Sequence, residues 1–295
     1  MTKFIEHRTV RRAASKDIVV LYHAECTDGF GAAWAAYKTL GTTADYHPVV
    51  YQTPPPDGLV GKTIYTLDFT YSRPVMEKLI RDNKQVTALD HHVTARETTE
   101  LTHDFRYALD HSGAMLAWEY FHPGVPPPYL IRIIEDTDLH RYAIADSVTL
   151  SDWLDQFDFE FKLYSKMART LDSASGVRRA LRQGVTIRAY REKLVERMVK
   201  NTSYEVEFLG HRVLAVTAEQ FHSEIGNELA KDHPFGVTWR VRRDGVCVSL
   251  RSAPGGINVA EIALRYGGGG HEHAAGFTVP TLDDLPFTQV QSSER

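Results

Sequence analysis

Three short apolar runs near the start of the chain each end in a side chain that binds divalent cations. His23 ends IVVLYH at Ile18–His23, Asp68 ends TIYTLD at Thr63–Asp68, and Asp90, His91 and His92 end VTALDHH at Val86–His92. One strand delivering such a group at its C-terminal end is commonplace. Three in succession describe one site assembled from the ends of neighbouring parallel strands, where open α/β sheets hold their ligands. Asp28, Asp136 and Asp138 add further carboxylates. Each residue alone has an ordinary structural explanation: Asp68 can cap a turn, His92 can be a satisfied buried histidine, and Asp138 can pair with Arg141. Together, four or more carboxylates in one region repel one another unless cations are bound. Mixed oxygen and imidazole donors suit Mn²⁺, and Mg²⁺ or Zn²⁺ less specifically. Two such ions sharing a carboxylate would activate a water and clamp both oxygens of a phosphoryl displacement.

A second candidate lies near the C-terminus, in GGGGHEHAAGF at Gly267–Phe277. Without Cβ atoms, Gly268, Gly269 and Gly270 leave backbone N–H groups free to approach an anion closely, and His271 can donate to a phosphate or carboxylate. The ordinary explanation of a glycine run is a flexible turn. Here Ala274, Ala275 and Gly276 extend the close-approach surface, which favours binding.

The elements that must position these groups follow from the pattern. Strands are expected at Ile18–Tyr22, Ala44–Tyr51, Thr63–Leu67, Val86–Leu89 and Phe105–Leu109. Between them come a helix at Gly31–Leu40, a rigid TPPPDG loop at Thr53–Gly58, and a helix capped by Ser72 that runs to Asn83 with Pro74 in its first turn. This alternation predicts a mostly parallel sheet with helices on its faces. From Ser112 to about Lys200 the pattern is helical. In SGAMLAWEYF, at Ser112–Phe121, Ser112 reads as an N-cap and the apolar residues as core, with no chemistry assigned. The last stretch, Gly176–Lys200, is strongly basic: Arg178, Arg179, Arg182, Arg188, Arg191, Lys193, Arg197 and Lys200. It reads as a solvated linker helix or as a positive wall facing a cleft. After Ser203 a hairpin, a helix near Ser223–Lys231, strands at Gly236–Arg242 and Val246–Leu250 and a helix at Val259–Arg265 form a smaller α+β domain. The expected division is 1–175, a linker helix over 176–202, and 203–295.

At 295 residues the chain can bury two cores. A formal net charge of −4 argues against coating long nucleic acid by counterion release, and leaves room for a short nucleotide held by a few placed groups. The N-terminal MTKFIEHRTVRRAASKD is basic but lacks the apolar core and cleavage site of a secretory signal. No apolar stretch approaches the roughly 20 residues that cross a bilayer. Cys26 and Cys247, the only two cysteines, imply no disulfide framework, so a cytoplasmic location is expected.

LDHHVTARE at Leu89–Glu97 carries the Asp-His-His signature of the DHH phosphoesterase superfamily. YHAECTDGFGAA at Tyr22–Ala33 resembles its first motif, LDF at Leu67–Phe69 its second and IEDTDL at Ile134–Leu139 its fourth. The tail VSLRSAPGGINVAEIALRYGGGGHEHAAGF at Val248–Phe277 resembles the DHH-associated C-terminal domain. The resemblance runs in order from about residue 18 to 280. It implies that Asp68 bridges two metals, Mn²⁺ foremost, that His23 joins it on the first, and that Asp28, His91 and Asp136 complete the second. His92 then contacts the scissile phosphate, Asp90 orients a ligating histidine, and Asp138 is structural or outer-shell. Arg251 sits where a family arginine contacts the substrate end held by the glycine loop. One departure stands out: the usual His-x-x-x-Asp-x-Asp reads here His23-Ala-Glu-Cys26-Thr-Asp28, as in a related branch. Either Cys26 donates a thiolate to the first metal, or it packs beside the site while water or Glu25 takes that place, and the second is preferred.

The resemblance implies a two-metal phosphodiesterase for short oligonucleotides, with the glycine loop gripping one end across a cleft. Within that class stand a nano-RNase, a 3′-phosphoadenosine 5′-phosphate phosphatase and a cyclic-dinucleotide phosphodiesterase. A RecJ-like processive exonuclease lacks its additional nucleic-acid-binding domain here, and a family II pyrophosphatase carries a different C-terminal domain. A nucleotide or RNA sensor without turnover is the alternative of another class. No membrane partner is expected, and the oligomeric state stays open, a homodimer included.

Overall fold

The computed structural model describes residues 14–50, 53–242 and 245–290. The basic stretch before Ala14, and Tyr51 at the end of the expected second strand, lie outside them. The chain divides into two compact units, Met1–His91 with Ala95–Val177, and His92–Thr94 with Arg178–Arg295.

The first unit is built on five parallel strands: β1 (Ile18–His23), β2 (Ala44–Val49), β3 (Thr63–Leu67), β4 (Gln85–Asp90) and β5 (Asp104–Tyr107), in the order β2-β1-β3-β4-β5. The nearly continuous apolar strands suit a parallel sheet covered on both faces. After β1 the chain winds outward to β2, then returns past β1 to β3. That reversal opens a crevice at the carboxyl ends of β1 and β3. Register sets the rim: Tyr22 pairs with Leu67 and Leu67 with Leu89, so the residues just beyond them, His23, Asp68 and Asp90, stand level.

Helix α1 (Thr27–Leu40) starts hard against the end of β1, where a Cβ on Gly29 would meet the His23 carbonyl oxygen at 2.3 Å. Its Ala32, Ala33, Ala35 and Ala36 are fully buried. Helix α2 (Arg73–Asp82) packs Met76 and Leu79 against Val19, Leu21, Ile64 and Val86 of the sheet. Ser72 holds its N-cap position, but the side chain makes no capping bond; the backbone oxygen accepts from Val75 and Met76 instead. A short α3 (Arg96–Thr99) precedes β5. Then come α4 (Gly113–Phe121), α5 (Tyr129–Asp138), α6 (Ser147–Leu154), α7 (Phe161–Leu171) and the 29-residue α8 (Ala174–Thr202). Ser112 does cap α4, its Oγ accepting from Met115 N–H at 3.3 Å.

The second unit carries a seven-stranded sheet. β6 (Tyr204–Phe208) and β7 (His211–Thr217) form a hairpin whose two turn residues, Leu209 and Gly210, both have positive φ (52° and 79°), the combination that matches strand twist. Helix α9 (His222–Leu229) links β7 to its parallel neighbour β8 (Gly236–Arg242). Then follow β9 (Gly245–Arg251), α10 (Val259–Arg265), β10 (Gly269–His271), β11 (Ala274–Val279) and β12 (Phe287–Gln289), in the order β10-β11-β9-β8-β7-β6-β12. Its core includes Val206, Phe208, Phe235, Val237, Leu250, Ile262 and Phe277. The glycine-rich tail, expected as a loop, is the edge hairpin β10–β11. Among the described residues no helix is long and apolar enough to cross a membrane.

Candidate active site

The crevice between β1 and β3 holds two groups of ligand atoms. His23, Cys26 and Asp68 bring one donor atom each to within 4.8 Å of one another, and so do Asp28, His91 and Asp138. Asp68 belongs to both settings. Its Oδ2 lies 3.3 Å from His23 Nδ1, while its Oδ1 lies 3.1 Å from His91 Nε2. His91 Nε2 is also 3.6 Å from Asp28 Oδ2 and 3.7 Å from Asp138 Oδ2.

The backbone is bent to make this arrangement. Asp68 has φ 62°, a left-handed conformation that costs a non-glycine residue free energy and is held only where the surroundings over-determine it. Its N–H is pinned to the Leu89 carbonyl at 2.9 Å. Asp28 is 1% exposed and accepts from the backbone N–H groups of Gly113 (2.7 Å) and Ala114 (2.9 Å) at the start of α4. Such N-terminal amides suit a carboxylate. A Cβ on Gly113 would lie 2.6 Å from Asp68 Cβ and 2.9 Å from Asp28 Oδ2. Gly113 therefore belongs to the site. The sequence offered one signal, a glycine at the first helical position where a better helix former is expected.

Electrostatics explain why such a cluster draws cations. Burial, then the charges of Asp138 and Asp68, push the Asp28 carboxyl well above its usual range, against a smaller opposing pull from His91 and Ser112. Burial works against a charge on His91, but its bond to Asp68 and the charges of Asp138, Asp68 and Asp28 outweigh it and push its pKa up to about 10. The donor set, oxygen-rich with imidazole, fits divalent metals of the Mn²⁺ and Mg²⁺ type. Cys26 is half-buried, and burial together with Asp68, Asp28 and Asp138 pushes its thiol well above the usual value.

The fourth motif places its two aspartates differently from the expectation. Asp136, expected as a ligand, accepts from Ala143 N–H (2.9 Å) and Ile144 N–H (3.2 Å) in the loop after α5 and is not gathered with the other donors. Asp138, expected to be structural, is the residue that joins Asp28 and His91. Arg141 does not pair with it; Glu135 takes Arg141 Nη1 at 2.7 Å and His111 Nδ1 at 3.3 Å. Asp136→Asn is accordingly expected to loosen the loop and lower stability by about 1–3 kcal/mol, while metal uptake is retained. Asp138→Asn should leave the melting temperature nearly unchanged and weaken metal uptake at least about tenfold. Thermal denaturation and Mn²⁺ titration of both variants check the pair.

The remaining candidates are placed as follows. Asp90 is fully buried and its Oδ1 accepts the His91 backbone N–H at 2.7 Å. His92 follows, half-buried. In the second unit, Arg251 donates from Nη2 to Ser223 Oγ (2.7 Å) and from Nη1 to the Leu250 carbonyl (2.8 Å). Burial lowers its pKa to about 10, partly offset by Glu224. Gly268 and Gly270 have a packing reason for lacking Cβ atoms: one on Gly268 would meet Gly276 O at 2.0 Å, and one on Gly270, at φ 138°, would meet Ala274 O at 2.5 Å. Gly269 opens β10 and His271 closes it opposite Ala274. His273 is tied to Ser252 Oγ through Nδ1 at 2.9 Å.

The DHHA1 domain family matches residues 202–289. An uncharacterized protein of Acanthamoeba polyphaga mimivirus is 29% identical over 298 residues, covering 92% of this chain and 70% of its own. Oligoribonuclease NrnB of Bacillus subtilis is 47% identical over 70 residues, 23% of this chain and 18% of its own. The bifunctional oligoribonuclease and PAP phosphatase NrnA of Thermus thermophilus is 54% identical over 57 residues, 19% of this chain and 17% of its own.

These likenesses support a DHH superfamily phosphoesterase with a C-terminal DHHA1 domain. The same likenesses support hydrolysis of phosphoester bonds. The matches to the two ribonucleases span less than a fifth of either relative, and what each acts on is said of that relative alone. The carboxylates and imidazoles at the strand ends are groups whose chemistry suits phosphoester hydrolysis.

Proposed function

We propose that this DHH phosphoesterase hydrolyses short oligonucleotides in the manner of a nano-RNase, using two divalent cations, Mn²⁺ foremost, at the Asp68 clusters. The observation that carries the reading is the Asp68 carboxylate, with one oxygen turned to His23 and the other to His91. Cations bound there supply Lewis acidity at phosphoryl oxygens and lower the pKa of a water. The protein's own residues do the rest. Asp68, locked by its backbone, keeps its two oxygens apart in direction. Asp28, fixed by the α4 amides, and Asp138 and His91 complete one donor set; His23, with Cys26 beside it, completes the other. Asp90 holds the His91 peptide in place. His92 contacts the scissile phosphate and protonates the leaving oxygen.

The same proposal divides the chain into a catalytic stretch over 1–175, a connecting helix over 176–202 and a substrate-binding stretch over 203–295. In the last, Arg251, Gly268, Gly269, Gly270 and His271 bind one phosphate-bearing end. Arg251 Nε has no hydrogen-bond partner among the described residues, which leaves a charged donor for an anion. Arg251→Gln is expected to raise KM for a 5′-phosphorylated dinucleotide roughly tenfold with kcat nearly kept, the signature of lost uniform binding. A fall in kcat at unchanged KM would contradict this role.

The test of the substrate class is an Mn²⁺-supplemented assay on a 5′-phosphorylated dinucleotide, a 20-mer, a cyclic dinucleotide and 3′-phosphoadenosine 5′-phosphate. The dinucleotide is expected to be the fastest substrate. Equal rates on the 20-mer would overturn the preference for short strands, and metal binding without turnover of any of the four would favour a sensor.

A further inference from the structure

Helix α8 carries eight basic residues against two acidic ones, in a chain whose formal net charge is −4. Net charge is a sum, and here it hides a local concentration. Ala180, Gly184 and Val195 mark the buried side of the helix. Arg178, Arg179, Arg182, Lys193, Arg197 and Lys200 are all exposed. At 3.6 residues per turn these six fall within roughly a third of the circumference, opposite the buried side, and the stripe runs about 33 Å from Arg178 to Lys200. Of the six, Lys193 alone forms an ion pair among the described residues, with Glu196 at 2.8 Å. Between the two basic clusters stand Val185 and Tyr190, 59% and 66% exposed.

A helix that needs only solvation has no reason to gather its cations on one stripe and leave an aromatic ring in water between them. Basic groups flanking an exposed aromatic fit a phosphate backbone whose bases can stack. At the roughly 3.4 Å per nucleotide of a stacked strand, 33 Å corresponds to about ten nucleotides, far beyond a dinucleotide. We propose that the exposed stripe of α8 docks single-stranded RNA of about ten nucleotides or more. The choice of RNA rests on the oligoribonucleotide reading above; the binding itself does not. An enzyme for very short strands depends on a prior reaction, the cleavage of long RNA, that releases them. A strand held on α8 would keep the enzyme where its substrate is produced.

The test uses the full chain in EDTA, so that binding is read without hydrolysis, with fluorescence anisotropy of a labelled single-stranded 20-mer RNA between 50 and 200 mM salt. If all six cations engage, the plot of log affinity against log salt has a slope of about −4. The variant carrying Arg178→Gln, Arg182→Gln, Lys193→Gln and Arg197→Gln should bind at least about tenfold more weakly and lose about three units of that slope. Its melting temperature and its dinucleotide turnover in Mn²⁺ should match the parent. Tyr190→Ala should weaken binding roughly fivefold or more at unchanged slope, because stacking carries no charge. Absence of 20-mer binding at 50 mM salt, or binding that the fourfold variant leaves intact, would overturn the proposal. So would equal competition by polyglutamate of RNA at matched charge, which would mark an acidic protein as the better partner. Stripe-dependent RNA binding by a protein inactive on every short substrate would leave docking standing and remove the catalytic reading instead.

Discussion

Asp68→Asn is expected to lower turnover of a 5′-phosphorylated dinucleotide by at least about a thousandfold, with the fold intact. Asparagine is the conservative choice because it tolerates the left-handed backbone that Asp68 adopts at φ 62°. What the variant loses is one negative charge and one oxygen acceptor. In the parent, one Asp68 oxygen faces His23 and the other His91, so on the proposed role the change removes a donor that both ligand sets would share. A residue serving a single set would leave the other intact and retain part of the activity. Steady-state kinetics with Mn²⁺, alongside thermal denaturation, checks the expectation; retention of a tenth of the parental rate would contradict a shared role.

Gly113→Ala has the second-largest expected effect, from a residue that carries no functional group. The new Cβ would meet Asp68 Cβ at 2.6 Å, Asp28 Oδ2 at 2.9 Å and Asp68 Oδ1 at 2.9 Å. Asp68 cannot swing aside, because the nearest contact is its own Cβ, fixed by a backbone pinned to Leu89. Asp28 cannot retreat without giving up the bonds it accepts from Gly113 and Ala114. Overpacking of this kind costs about 1–3 kcal/mol. Displacing two carboxylates by a fraction of an ångström to 1 Å should cost about a hundredfold in rate. Activity within twofold of the parent would show that the α4 start does not set the carboxylate positions.

How much of this was legible in the sequence depends on whether the cause was local. The strand at Thr63–Leu67 and the helix at Val259–Arg265 were legible to the residue, because each stands between clear breakers and follows its own period. The rim of His23, Asp68 and Asp90 was legible as strand ends, since parallel pairing brings such ends level. The edge hairpin β10–β11 was not, because small residues in GGGGHEHAAGF carry no strand signal and only the neighbour β9 makes them one. Asp136 and Asp138 sit two positions apart at the end of α5, and pattern alone cannot say which turns toward the crevice. The loop that needs two acceptors for Ala143 and Ile144 decides it. Gly113 is the same lesson: its neighbours Asp28 and Asp68 lie far away along the chain, and nothing beside it in sequence announces them. The basic run of α8 was legible as composition, while its collection onto one exposed stripe required the helix to be placed against its own unit.

Whether Asp68 serves two cation sites at once is read from a Mn²⁺ titration of the full chain by isothermal calorimetry, with metal content measured after dialysis. Two Mn²⁺ per chain are expected in the parent, one per chain in Asp138→Asn, and weakened binding at both sites in Asp68→Asn. A single Mn²⁺ per chain in the parent, or an Asp68→Asn variant that still binds two with parental affinity, would contradict the shared role.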